Sequence, residues 1–145
     1  MMHGDLANKA GFTIAFRCVD LLVKYRDNTF TDKVLNAVIG KTKRAEVDES
    51  VREYMEHLYR NTEYNVDLVV ENKDYTEDLK SLLDTMPFNR IVLVDKMSAV
   101  SSRLLTGDIS LYVDDDPYRR SLINNQYAIS FHELSQHIKR GVFRA

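Results

Sequence analysis

Five short apolar runs, rich in β-branched and aromatic residues and separated by stretches of helical period, constrain this chain more than anything else in it. The runs are Phe12–Phe16 (FTIAF), Val66–Val70 (VDLVV), Arg90–Val94 (RIVLV), Ile109–Val113 (ISLYV) and Tyr127–Phe131 (YAISF). Several are apolar almost throughout, as strands covered on both faces are. A further apolar stretch, Val19–Tyr25, follows the first. In Glu46–Arg60, Val47, Val51, Tyr54 and Leu58 form one helical stripe. Thr76–Met86 aligns Leu79, Leu82, Leu83 and Met86 behind Thr76, a candidate N-cap. Ser98–Leu105 can start on Ser98, Pro117–Asn124 begins with proline at the favoured first helical position, and His132–Lys139 closes the series. This order predicts parallel strands joined by right-handed crossovers, hence an α/β fold with helices on both faces of the sheet. In such sheets ligands bind beyond the carboxyl ends of the strands, so the residues just after each strand carry the function.

A chain of 145 residues suits one domain spanning 1–145. The stretch at about 27–64 is too long for a plain connection. Its two amphipathic segments, Thr31–Ile39 and Glu46–Arg60, flank the basic patch Lys41–Arg44 and predict a small helical cap over the sheet edge. An ordinary crossover with a long lead-in is the simpler alternative. With 20 Lys+Arg against 22 Asp+Glu the formal charge is −2, which argues against a nucleic-acid partner, whose phosphates call for a basic surface. The single cysteine, Cys18, excludes an internal disulfide framework and a multi-cysteine zinc site, and fits a cytoplasmic protein. No apolar run approaches the roughly 18 residues of a membrane span, and the first residues are too polar for a signal-peptide core, so no membrane partner is expected.

Three of the post-strand segments carry charge in patterns that matter. Asp114-Asp115-Asp116-Pro117 follows the fourth strand. Adjacent carboxylates repel unless a cation or water shares their charge, which makes them a candidate Mg²⁺ site. The alternative is a solvated acidic turn with Asp116 capping the next helix. Lys96 follows the third strand, where it can neutralise an anionic substrate or balance those acids. Glu71-Asn72-Lys73-Asp74 follows the second strand and offers no hydroxyl for a phosphate before Thr76.

Taken together, these segments resemble the haloacid-dehalogenase (HAD) superfamily, and most of all its 5'(3')-deoxyribonucleotidase branch, which includes phage-borne members. The resemblance runs from Tyr64 to Ile138. It rests on Met86-Pro87-Phe88 before RIVLV, on VDKMS at Val94–Ser98, on GDISLYVDDDP at Gly107–Pro117, and on YAISF. It implies a three-layer α/β/α sandwich with a mostly parallel, HAD-like (Rossmannoid) sheet and a small cap. It also implies that Lys96 stands for the phosphate-neutralising lysine and Asp114 and Asp115 for the metal-binding pair.

The first strand departs from that family, which ends it in Asp-x-Asp: the first Asp attacks phosphorus and the second serves as acid, then base. Here the residues are Arg17-Cys18-Val19-Asp20. In one register Arg17 and Val19 take the two positions; slid by one, Cys18 and Asp20 do. Neither supplies a carboxylate nucleophile, and a guanidinium neither attacks phosphorus nor binds Mg²⁺. The second motif departs as well, with Val70 and Glu71 where the family has a Ser or Thr.

The expected function is that of a pseudo-nucleotidase, a HAD-fold protein impaired in catalysis that binds or regulates. Its partner would be a protein or a nucleotide, with a homo-oligomer also compatible with the sequence, and it would not require Mg²⁺. Arg17 turned into the site could pair with Asp114 or Asp115 in place of a metal. Tyr54, Tyr59 and Tyr64 beside Lys41–Arg44 are the expected surface for a protein partner. One alternative is an active Mg²⁺-dependent nucleotidase with an altered nucleophile, for example Asp20 presented from a bulged strand, and with Lys96, Asp114 and Asp115 in their usual roles. Another is a TOPRIM-type nuclease using Glu71 with Asp114 and Asp116. Cys18 reads as a small core residue, and His132 and His137 as surface residues rather than ligands.

Overall fold

The central strand β1 (Thr13–Arg17) is buried along its whole length because helices pack on both faces of the sheet it organises. The structure, a computed structural model, describes residues 11–27 and 43–139. After β1 come β2 (Val23–Asp27), β3 (Lys43–Val47), α1 (Glu49–Asn61), β4 (Asn65–Glu71), α2 (Glu77–Leu83) and β5 (Arg90–Val94). The chain continues through α3 (Ala99–Thr106), β6 (Leu111–Val113), α4 (Pro117–Ile123), β7 (Ala128–Ile129) and α5 (Phe131–Lys139).

Five strands form a parallel sheet in the order β5-β4-β1-β6-β7. Phe16 lies level with Leu68 of β4 and Val113 of β6, so Arg17, Glu71 and Asp114 emerge at one edge. Alternation along each strand separates two cores. Ile14, Phe16, Val66, Leu68 and Val70 pack against α1, α2 and α5 through Met55, Leu58, Leu79, Leu83 and Leu134. Ala15, Val69, Val92, Val94 and Tyr112 pack against α3 and α4 through Val100, Leu104 and Ile123. The expected three-layer α/β/α sandwich is therefore what the chain forms.

Local signals set most helix starts. Asp48, Thr76 and Asp116 cap α1, α2 and α4 by accepting from the amides of Val51, Leu79 and Tyr118. Ser98 makes no side-chain cap. Tight bonds from Ala99 to the Lys96 carbonyl and from Val100 to that of Met97 lead into α3 instead. That helix closes on Gly107 at φ +82°, a conformation glycine adopts without a Cβ penalty.

The Val19–Tyr25 stretch is broken by a turn, in which the Leu22 and Val23 amides both donate to the Cys18 carbonyl and send the chain back. It leaves as β2, which pairs antiparallel with β3 in a separate ribbon. The helix expected over Glu46–Arg60 begins at Glu49 and lies on the sheet as a crossover, burying Val51, Met55 and Leu58. The described part of the 27–64 stretch is thus a ribbon strand and a packed helix rather than a helical cap; Thr31–Ile39 lies outside the described residues. The fourth and fifth strands are shorter than their apolar runs, because Ile109 and Ser110 lead into β6 and the chain turns into α5 at Phe131. The tyrosines expected at a partner surface are spent on packing. Tyr54 meets Phe131 edge-on, Tyr64 packs on Phe12, and Tyr59 lies against the core.

Asp67, in the middle of β4, is 1% exposed and pairs with Arg90 at 2.7 Å. Arg90 also holds Asp108, which Arg103 holds in turn, tying the amino ends of β5 and β6. Burial pushes the Asp67 carboxyl up to about 6, although Arg90 opposes it. An acid raised in the folded state ionises first in the unfolded chain, so its contribution to stability is complete below about pH 4 and lost as pH rises through about 6. Asp67→Asn is therefore expected to gain on the natural protein, by on the order of 2 kcal/mol, as pH rises from about 4 to 7. Urea denaturation of both proteins across that range measures the difference, and a constant gap would contradict the assignment.

Candidate functional site

The crossover from β1 leaves on the α1 face and that from β6 on the α4 face, so a crevice opens between these neighbouring strands at their carboxyl ends. A cleft of about 480 Å³ lies there, with Arg17, Asp20, Glu71, Lys96, Asp116 and Arg119 in its wall. The post-strand segments singled out in the sequence thus meet at one place.

Arg17, the last residue of β1, turns into this cleft yet is only 4% exposed. Its Nε donates to the Val19 carbonyl at 2.8 Å and its Nη1 to Glu71 Oε1 at 2.8 Å. The same Nη1 lies 2.9 Å from Met97 Sδ, and Nη2 lies 4.0 Å from Asp74 Oδ2. The expected pairing of Arg17 with Asp114 or Asp115 is replaced by one with Glu71. β1 lies between β4 and β6, and Arg17 leans toward the β4 side, where Glu71 and Met97 hold its guanidinium.

Asp114 is fully buried and is held by Arg119, a residue the sequence reading did not single out. Arg119 Nε donates to Oδ2 at 2.7 Å and Nη2 to Oδ1 at 2.9 Å, a two-pronged pair. The Tyr112 hydroxyl donates to Oδ2 at 2.8 Å and the Asp116 amide to Oδ1 at 3.0 Å. A carboxylate offers about four lone-pair positions, and all of them are taken. Burial works to raise the Asp114 carboxyl, but these bonds outweigh it and hold the group below the usual carboxylate range. Arg119 Nη1 also reaches Asp20 Oδ2 and Asp116 Oδ2, each at 3.3 Å.

One signal in the sequence did point to Arg119. A cation in the first turn of a helix opposes the helix dipole, so an arginine just inside Pro117 needs a local reason. The acids before it supply one.

Asp115 turns away from this group and accepts from the Phe131 amide at 2.9 Å, at the start of α5. Asp116 caps α4, as the acidic-turn alternative has it. Among the described residues no three His, Cys, Asp or Glu side chains converge as metal ligands do. As arranged, the acids expected to hold Mg²⁺ do not fit a hard dication, since Asp114 has no free lone pair and a guanidinium stands among the rest.

The first strand ends on Arg17. Arg17 and Val19 line the cleft, while Cys18 between them faces the core and is fully buried. Burial pushes the Cys18 thiol up to about 12, leaving no thiolate near neutral pH. Asp20 reaches the cleft from the turn at φ +78°. The Lys96 side chain lines the cleft without a hydrogen bond or ion pair among the described residues, and Lys73 keeps only a loose 3.9 Å contact with Glu71. Tyr118 and Leu122, one turn apart on α4, form an exposed apolar rim.

Comparison with protein-family models, with curated proteins and with solved structures returned no match.

Two outcomes check this geometry. Arg17→Met strips the counter-charge from Glu71, which is mostly buried, and is expected to cost about 3 kcal/mol at neutral pH. Adding Glu71→Gln should recover a large part of that loss in a double-mutant cycle read by urea denaturation. Cys18 in the folded protein should react with a disulfide-exchange reagent only at the rate of unfolding, so immediate labelling in native buffer would contradict its burial.

Proposed function

We propose that this chain is a HAD-type protein that binds a small phosphate-bearing ligand, such as a nucleoside monophosphate, without hydrolysing it. The observation that carries the reading is Arg17. On the resemblance, its position is that of the nucleophilic carboxylate. The residue standing there is a buried guanidinium already engaged with Glu71, Met97 and the Val19 carbonyl. A guanidinium has no lone pair to offer phosphorus at any accessible pH. Val19, in the place of the acid, has no proton to give.

Binding is a separate matter from turnover. The charges in the cleft wall largely cancel: Arg17, Lys73, Lys96 and Arg119 face Asp20, Glu71, Asp74 and Asp116. Lys96 and Lys73 remain the cations available to an incoming anion. Tyr118 and Leu122 offer the apolar contact that an aromatic or ribosyl group would use. The ligand thus meets two exposed ammonium groups, which favours affinity in the modest range typical of solvent-exposed charge pairs.

The test is phosphate release from deoxynucleoside monophosphates and an aryl phosphate in the presence of Mg²⁺, alongside calorimetric titration with the same nucleotides. Expected are release at the level of a buffer blank and saturable binding weakened several-fold by Lys96→Ala. Turnover above the blank that disappears in Asp20→Asn would overturn the reading and make Asp20 the working acid.

A further inference from the structure

The acids at the carboxyl ends of β1 and β6 are gathered around a cation that the chain itself supplies. Asp114 has no exposed surface, Asp116 lies beside it, and Asp20 faces both from the turn after β1, 94 positions earlier in sequence than Asp114. Three carboxylates drawn together at the end of a sheet repel strongly unless a positive charge lies among them. One guanidinium meets all three, at 2.7 and 2.9 Å to Asp114 and 3.3 Å to each of the others. Arg119 is itself mostly buried, and the Asp114 bonds come first among the influences that keep it firmly protonated.

We infer that Arg119 is the resident cation of this cluster and occupies both oxygens of Asp114, so that the natural protein takes up no Mg²⁺ or Mn²⁺ at Asp114. This deepens the proposed function, which leaves open what balances the acids. Three features support it. The fork of the guanidinium matches both carboxylate oxygens, leaving no vertex for a metal. The Tyr112 hydroxyl and the Asp116 amide take the remaining lone pairs. The start of the helix that carries Arg119 is fixed beside Asp114 by Asp116 as its cap and by Arg120 donating to the Asp114 carbonyl at 2.5 Å, which keeps the Arg119 backbone within reach of the acids.

The Arg119 seat also predicts what its removal does. Arg119→Gln frees both oxygens of Asp114 from the guanidinium and leaves Asp114, Asp116 and Asp20 without their shared counter-charge, with Asp20 and Asp116 in the cleft wall, so a hard dication should restore part of the lost balance. The experiment uses the full chain and the metal alone. Thermal unfolding is followed in chelator and in millimolar Mg²⁺ or Mn²⁺ at matched ionic strength, and Mn²⁺ uptake is followed by electron paramagnetic resonance.

For the natural protein the expected results are an unchanged Tm and no saturable Mn²⁺ uptake. Arg119→Gln should melt lower in chelator, regain roughly 3–6 °C with the metal, and lose that gain when Asp114→Asn is added. Arg119→Lys, which keeps the charge, guards against a variant that does not fold; it should stay insensitive to metal. Saturable Mn²⁺ binding by the natural protein, lost in Asp114→Asn, would overturn the inference, as would a folded Arg119→Gln indifferent to metal. The outcome is separable from the proposed function. Metal uptake without phosphate release sinks this inference alone, whereas metal-independent phosphate release sinks the other alone.

Discussion

Charge placed at the buried ends of central strands governs this molecule. A sheet covered on both faces tolerates an ionised side chain at its carboxyl edge only where a counter-charge meets it with good geometry. β1 ends in Arg17 and β6 is followed by Asp114, both with almost no exposed surface. Each therefore dictates a partner, Glu71 for the first and Arg119 for the second. These pairs fix the turn after β4 and the start of α4. They also fix the shape of the cleft, because the side chains that bond are the ones that form its wall. Breaking either pair strands a buried charge, which costs more than the pair itself contributes.

The same logic appears at the other end of the sheet in a weaker form. Asp67, Arg90, Asp108 and Arg103 form a chain of alternating charge, but most of its members are partly exposed and screened by water. Only Asp67 is deeply buried, and it is the member whose ionisation burial opposes most. The amino edge is thus a stabilising network with one titrating weak point. The carboxyl edge, by contrast, is a saturated site in which Asp114 stays charged. Two networks of like composition differ in consequence because they differ in burial.

The layers were legible because hydrophobic periodicity reports burial directly. RIVLV is β5 residue for residue, and VDLVV lies inside β4. Caps at Thr76 and Asp116 were legible for the same local reason, since a cap is a bond between residues two or three apart. The meeting of Arg17, Glu71, Lys96 and the aspartates at one edge followed from strand order.

What the sequence left open lies in pairings that cross between elements. Whether Arg17 leans toward β4 or β6 depends on a rotamer set by Met97 and Glu71, residues far off in sequence. The ribbon of β2 and β3 went unseen because a two-stranded exposed pair carries little apolar alternation. The tyrosines of α1 and its exit looked available because an aromatic on a helix gives no sign of which neighbour it packs on until Phe131 and Phe12 are in place.

Arg119 sets the chemistry of the acids it meets. A metal ion held by carboxylates exchanges with solvent, accepts oxygen ligands at open vertices, and polarises what it binds. A guanidinium among the same acids supplies one positive charge rather than two and presents only donors, in a fixed plane, with no open vertex. The acids are thereby balanced by a group that brings none of the reactivity of a metal. Arg17 does the same on the other side of the cleft, balancing Glu71 and Asp74 from the end of the central strand. With both arginines engaged, Lys96 is left as the cation in the cleft wall with no carboxylate of its own among the described residues. An anion that enters the cleft is drawn toward that ammonium group, since the stronger cations are already neutralised.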